Sequence, residues 1–236
     1  MNTQQLYYED PASEQFSAEI TSVDHLRGNI FAVELSRTAF FPQGGGQPSD
    51  QGTIEGPGGA LKVKVVRSEN DGIVHEGDLS GELHAGEEVS GSLKWPRRRK
   101  YMRIHTAGHL IHDVLTEQAP ELVAQKGGHG DKAFLEYRGE IPAEVAEGLQ
   151  DAVNEVVKEN LPVRSWESSL EELEELCSSL PPNLPGGKAL RAIKIGDFDA
   201  MPDGGVHVAG TAEIGEVVIH HVKTEDGKAT VRYGVR

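Results

Sequence analysis

The sequence predicts an α+β protein: a small β-barrel or sandwich at the N-terminus, then a two-layer α+β part with an antiparallel sheet. Three observations carry this reading. Short stretches bearing β-branched residues recur through residues 1–93 between Gly, Asp and Asn turn signals. The pattern then changes to a helical period at Trp95-Pro96. Beyond it, helical segments are followed by consecutive strands instead of alternating with them, which marks α+β layers and not βαβ units.

In the first part, residues 20–23, 30–35, 61–67 and 72–75 are the strand candidates. Turns such as Arg27-Gly28-Asn29 and Glu69-Asn70-Asp71-Gly72 separate them. Regular spacing of short strands predicts closure into a barrel or sandwich. Pro96 suits a first helical turn, where its missing N–H costs little. A helix then runs over 97–118, with Met102, Ile104, Leu110, Ile111, Val114 and Leu115 apolar, until Pro120 ends it. A second helix spans 143–160 on a Val145, Leu149, Val153 and Val156 stripe before Pro162. Ser168 or Ser169, with glutamate three positions on, signals a short capped helix that continues to Cys177. Pro181-Pro182-Asn183-Leu184-Pro185-Gly186-Gly187 reads as a loop. Strands follow at 190–195, 212–222 and 229–235, the last two joined through Glu225-Asp226-Gly227. The domain division predicted from these elements is 1–93 and 94–236.

A net charge of −15 argues against a general nucleic-acid coat. It leaves room for a local basic site: Arg97, Arg98, Arg99, Lys100 and Arg103 place five cations in seven positions. No apolar run approaches the roughly 18 residues of a membrane span, and residues 1–10 lack the features of a secretion signal. The single cysteine, Cys177, fits a reducing compartment. A cytoplasmic protein without a membrane or an obligate protein partner is expected.

Two pairs of candidate metal ligands stand out. His105 and His109 are four apart on the first helix and so project from one face. Asp203 and His207 flank Gly204-Gly205, which permit a tight backbone and close approach. Taken alone, the first pair reads as structural, and the second as an Asp-Gly-Gly turn into a strand with His207 packed in the core. Together they supply the four groups that close around one divalent ion. The segment from Phe40 to Gly52 contains Gly44-Gly45-Gly46-Gln47; it has neither P-loop nor dinucleotide-binding spacing, and by itself reads as a hairpin loop. No Ser-His-Asp or Cys-His nucleophile arrangement is evident, so no catalytic residue is assigned.

In combination these segments resemble the alanyl-tRNA editing proteins of the AlaX type, relatives of the editing domain of alanyl-tRNA synthetase. The resemblance rests on the Phe40-to-Gly52 loop, on Met102-Arg103-Ile104-His105-Thr106-Ala107-Gly108-His109-Leu110-Ile111, and on Gln125-Lys126-Gly127. It also rests on Asp199 to Val208 and on Thr211-Ala212-Glu213-Ile214-Gly215. It implies a β-barrel beside an α+β editing domain, one zinc ion per chain, and hydrolysis of tRNA-Ala mischarged with serine or glycine. His105 and His109 match the first ligand pair and His207 the last. Gln125 matches a position able to sense the serine hydroxyl, and Gly44, Gly45, Gly46 and Gln47 match the loop that shapes the pocket. The expected tRNA contacts are Arg97, Arg98, Arg99, Lys100 and Lys126, with Lys132 beside them.

One departure concerns the family's Cys-x-x-x-His motif, which here reads Asp203-x-x-x-His207. A carboxylate binds zinc at roughly 2.0–2.2 Å but is a harder ligand than thiolate, and so admits other divalent ions. Three readings follow: a bound carboxylate, an open three-histidine site, or a site that has lost its metal. The last makes a non-catalytic tRNA- or metal-binding module the alternative to a trans-editing deacylase. The editing domain of threonyl-tRNA synthetase is the nearest enzymatic rival, but the Phe40-to-Gly52 loop and the β-rich N-terminus favour the alanyl reading.

Overall fold

Alternating side chains drive the N-terminal strands together. Along residues 88–93, Val89, Gly91 and Leu93 are buried while Glu88, Ser90 and Ser92 face outward, the period-two pattern of a strand with one face on a core. The computed structural model describes residues 3–69, 72–177, 180 and 190–236. The expected loop at 181–187 and the centre of the 69–72 turn lie outside them.

The chain begins with β1 (Gln4–Gln5), α1 (Leu6–Glu9), β2 (Gln15–Arg27), β3 (Ile30–Leu35) and β4 (Arg37–Thr38). It continues through β5 (Gly52–Glu55), β6 (Gly59–Glu69), β7 (Gly72–Gly81) and β8 (Glu88–Leu93) to the long helix α2 (Trp95–Gln118). A closed antiparallel barrel forms in the order β2-β3-β7-β6-β5-β8. Closure pairs every barrel strand on both sides and removes exposed edges. Ile20, Val33, Leu35, Phe40, Ile54, Leu61 and Val66 fill its core. The predicted strands fall in β2, β3, β6 and β7. Sequence reading missed β5 and β8, in which Gly, Ser and Glu outnumber β-branched residues; ladders on both sides, not propensity, hold them.

The chain forms two compact units, one of Met1–Gly44 with Pro48–Lys100 and the other of Gly45–Gln47 with Tyr101–Arg236. The first unit is pinned by a buried ion pair. Arg98 is 0% exposed and donates through Nε and Nη2 to Asp50 Oδ2, and through its Nη groups to the carbonyls of Pro11 and Ala39. The same Asp50 oxygen accepts the Phe41 N–H at 2.7 Å.

The second unit contains β9 (Val123–Gly128), β10 (Phe134–Arg138), α3 (Ala143–Glu159), β11 (Val163–Ser168), α4 (Leu170–Leu176), β12 (Leu190–Ile195), β13 (Met201–Pro202), β14 (Val217–Glu225) and β15 (Lys228–Val235). An antiparallel sheet runs β14-β15-β10-β9, and a three-stranded one runs β11-β12-β13. Helix α3 buries Val145, Leu149, Val153 and Val157. Its Asn154 bridges the Val217 N–H and C=O, and Gln150 accepts the Ile219 N–H; these side chains satisfy the edge of β14. Helix α4 is capped as expected, with Ser169 Oγ accepting the Glu172 N–H at 3.1 Å.

The strand expected at 212–222 needs correction: Thr211–Ile214 is a 3₁₀ turn and β14 starts at Val217. Gly215, at φ +75°, turns the chain between them. Strands β9, β10 and β11 were also unforeseen. Among the described residues, no helix is long and apolar enough to cross a membrane.

Candidate metal centre

The helical period of α2 presents His105 and His109 on one face. The segment after β13 brings Asp203 and His207 to them, so that one ligand atom from each lies within 4.8 Å of the others. His105 and His207 are buried and the other two nearly so. Asp203 Oδ1 stands 3.3 Å from His105 Nε2 and 3.7 Å from His109 Nε2, and Oδ2 stands 2.7 Å from His207 Nε2. A tetrahedral site with bonds of about 2.0–2.1 Å sets neighbouring ligand atoms about 3.3 Å apart, a spacing these three distances bracket.

Hydrogen bonding on the far side of each ring fixes what faces the centre. His105 Nδ1 lies 2.8 Å from Gln47 Oε1, which also accepts the Val206 N–H at 3.3 Å. That second donor identifies the atom as the amide oxygen, so His105 Nδ1 carries the proton. His109 Nδ1 meets Met201 Sδ at 2.7 Å, and a thioether only accepts. Thr106 Oγ1 gives its proton to the Met102 carbonyl, so at 3.2 Å it accepts from His207 Nδ1. Each imidazole therefore directs an Nε2 lone pair inward. The Nε2 atoms of His105 and His109 are buried without a hydrogen-bond partner. Three lone pairs facing one carboxylate repel one another unless a cation lies among them; the donor set fits a divalent ion.

Burial pushes the Asp203 carboxyl upward, but adjacent His105 and the imidazole edges of His109 and His207 hold it well below the usual range. Burial lowers His109, and it lowers His207 to about 3. A carboxylate beside neutral His109 and His207 is the form in which these groups bind metal.

Two glycines make this close packing possible. Gly46, at φ +76°, has no room for a side chain: a Cβ there would stand 2.8 Å from the Gly127 carbonyl oxygen. Its own carbonyl accepts the His129 N–H at 2.8 Å, which docks the 45–47 loop on the end of β9 and holds Gln47 at His105. A Cβ on Gly205 would run into the His105 ring, and the Gly205 N–H donates to Asp203 Oδ2 at 2.6 Å.

The expected site residues separate into groups. Gly45 and Gln47 join the four candidate ligands; a Cβ on Gly45 would lie 3.4 Å from Asp203 Oδ1. Gly44 belongs to the first unit. Gln125 is exposed on β9, with its amide donating to the carbonyls of its own strand at Val123 and Ala124. An exposed amide satisfied in this way is poorly suited to sensing a buried hydroxyl. Arg97 is half-buried, its Nε donating to the Ser49 carbonyl at 3.0 Å. Arg98 differs from expectation: wholly buried and engaged by Asp50, it offers nothing to a phosphate. Arg99, Lys100, Lys126 and Lys132 are exposed, with Lys126 Nζ 5.8 Å from the Phe134 ring centroid.

Sequence reasoning missed His129, whose ring stacks on His105 at 4.0 Å between centroids. Its Nδ1 lies 2.7 Å from Tyr233 Oη, which in turn donates to the Ile104 carbonyl. Burial holds His129 well below its ordinary range, with His105 and His109 adding to the effect. Thr106 and Met201 were also passed over as supports. Both carried a local signal, since Thr106 lies inside the His105-to-His109 motif and Met201 inside the Asp199-to-Val208 segment.

Comparison with known proteins places this geometry in a family. The profile of the family described as tRNA synthetases class II (A) matches residues 2–97. Over 99% of both chains, the protein is 31% identical to the alanyl-tRNA editing protein AlaX-M of Saccharolobus solfataricus. It is 34% identical to AlaX-L of Pyrococcus horikoshii over 92% of this chain and 54% of that one. It is 32% identical to the alanine–tRNA ligase of Natronomonas pharaonis over 95% of this chain, which spans 25% of the ligase. With 31% identity to AlaX-M over nearly the full length of both chains and the two candidate ligand pairs, His105/His109 and Asp203/His207, brought together, the chain belongs to the AlaX-type alanyl-tRNA editing proteins.

Proposed function

We propose that this protein is a trans-editing deacylase that hydrolyses the ester linking serine or glycine to mischarged tRNA-Ala, with one zinc ion held by His105, His109, Asp203 and His207. The observation that carries the reading is the convergence of three Nε2 lone pairs and the Asp203 carboxylate in a buried site. When bound, zinc supplies Lewis-acid polarisation of a carbonyl or activation of water at neutral pH.

The remaining work falls to the chain. Gln47 Oε1 fixes the His105 ring, while its Nε2 is buried and has no hydrogen-bond partner. That amide is a preorganised donor for the ester carbonyl oxygen as charge develops there, a contribution that grows in a site closed to water. Thr106 and Met201 hold the rings of His207 and His109. Since an aminoacyl ester is already activated, positioning a water against it and stabilising the oxyanion are the main requirements.

The test combines metal analysis with deacylation of Ser-tRNA-Ala by the purified protein and its Asp203→Ala and Asp203→Cys variants. We expect about one zinc per chain, lost in the alanine variant and restored by cysteine, with hydrolysis following metal content. Metal retained without Asp203 would leave an open three-histidine site. Metal bound without hydrolysis by the unaltered protein would make it a binding module and defeat the enzymatic reading.

A further inference from the structure

The charge of this protein is unevenly placed. Acidic side chains number 38 against 23 lysines and arginines, yet none occurs from Val89 to His112. That stretch enters an open groove of ≈ 850 Å³ on the barrel. Three of its lining residues, Lys62, Lys64 and Lys94, are lysines, and none is acidic.

Barrel register explains the grouping. On the outward side, Lys62, Thr53 and Ser92 are cross-strand partners on β6, β5 and β8. A second row follows two residues along. There Gln51 donates its side-chain amide to the Lys64 carbonyl, and its own carbonyl accepts the Lys94 N–H. Successive rows on one face of a strand are about 7 Å apart. Cations and neutral hydrogen-bonding groups thus alternate along the strands, with Val63 and Leu93 also lining the groove. Lys64 is partly neutralised by Asp78 at 2.6 Å. Lys62 and Lys94 are exposed and make no ion pair among the described residues. Helix α2 starts immediately after Lys94, and exposed Arg99 lies about 7 Å along its axis.

We infer that this barrel groove is a phosphate-binding surface for the tRNA backbone, with Lys62 and Lys94 as its principal cations and Thr53, Ser92 and Gln51 as neutral donors. The inference rests on the tRNA reading above and adds a surface to it. Against a net charge of −15, a groove lined by three lysines and no acidic residue, with Asp78 at its edge, is where a polyanion meets less repulsion. Neutral donors beside cations suit phosphate oxygens, which accept from both.

Its test is the salt dependence of binding to an uncharged tRNA-Ala transcript, read by fluorescence anisotropy. The unaltered protein, Lys62→Glu/Lys94→Glu and Lys223→Glu/Lys228→Glu are compared. The last pair lies elsewhere on exposed strands and makes the same change in net charge. We expect binding to weaken at least tenfold in the groove variant and its slope against log salt to flatten by about 1–2, roughly 0.7–0.9 for each phosphate no longer neutralised. The control should keep the slope. Equal weakening in both variants, or unchanged binding in the groove variant, would overturn the groove while leaving the editing reading intact. Displacement of tRNA by polyglutamate at matched charge would also overturn it, assigning the groove to an acidic peptide. Failure of the unaltered protein to bind tRNA-Ala at all would instead remove both.

Discussion

Replacing Gln47 with alanine removes one side chain that serves two groups. Its Oε1 accepts from His105 Nδ1 at 2.8 Å and from the Val206 N–H at 3.3 Å, and the residue is 1% exposed. Each buried donor left without an acceptor costs about 1–3 kcal/mol, so with two such donors the metal-free protein should lose about 2–6 kcal/mol of stability in urea. Loss of a support behind a metal-bound histidine weakens metal binding by roughly 10–100-fold, which is about 1.4–2.8 kcal/mol. Competition for zinc against a chromophoric chelator measures that loss directly. Gln47→Glu keeps the acceptor oxygen and replaces the unpartnered Nε2 donor. It should bind zinc at least as well as Gln47→Ala but hydrolyse Ser-tRNA-Ala poorly, dividing ring support from substrate contact. Zinc affinity within twofold of the original in Gln47→Ala would refute the claim that this amide orients His105.

Two further outcomes follow from buried charge and burial of a base. Arg98→Met breaks the fully buried pair with Asp50 and should destabilise the protein by about 3–5 kcal/mol; a thermal melt checks this, and a variant as stable as the original would refute the clamp. His75 is buried in the barrel, its Nδ1–H donated to the Val33 carbonyl and its Nε2 accepting from Thr38, and burial lowers it to about 4. Because the unfolded chain binds this proton more readily, the contribution of His75 is present above pH 6.5 and is lost as pH falls through about 4. The loss is about 3 kcal/mol, and urea titrations at pH 7 and pH 4 should show a smaller difference in His75→Gln; equal differences would refute the assignment.

Local spacing determined what depends on neighbours along the chain. Four residues on one helix put His105 and His109 on the same face whatever surrounds them. Ser169 caps α4 because its side chain reaches an N–H three residues ahead. The strand and helix periods made the α+β class readable, and the motif order pointed to the family. Long-range pairing decided the rest. Strands β5 and β8 exist because barrel ladders hold them from both sides. Arg98 is indistinguishable in sequence from Arg99, yet one turns inward to Asp50 and the other stays in solvent. Gln47 reaches His105 because Gly46 can approach the backbone at Gly127, far along the chain. His129 carries no motif of its own and becomes part of the site through the ending of β9. Side-chain type and spacing can specify which groups are able to bind a metal. Only the closing of distant backbones can bring their lone pairs to one point, because that depends on which surfaces bury each other.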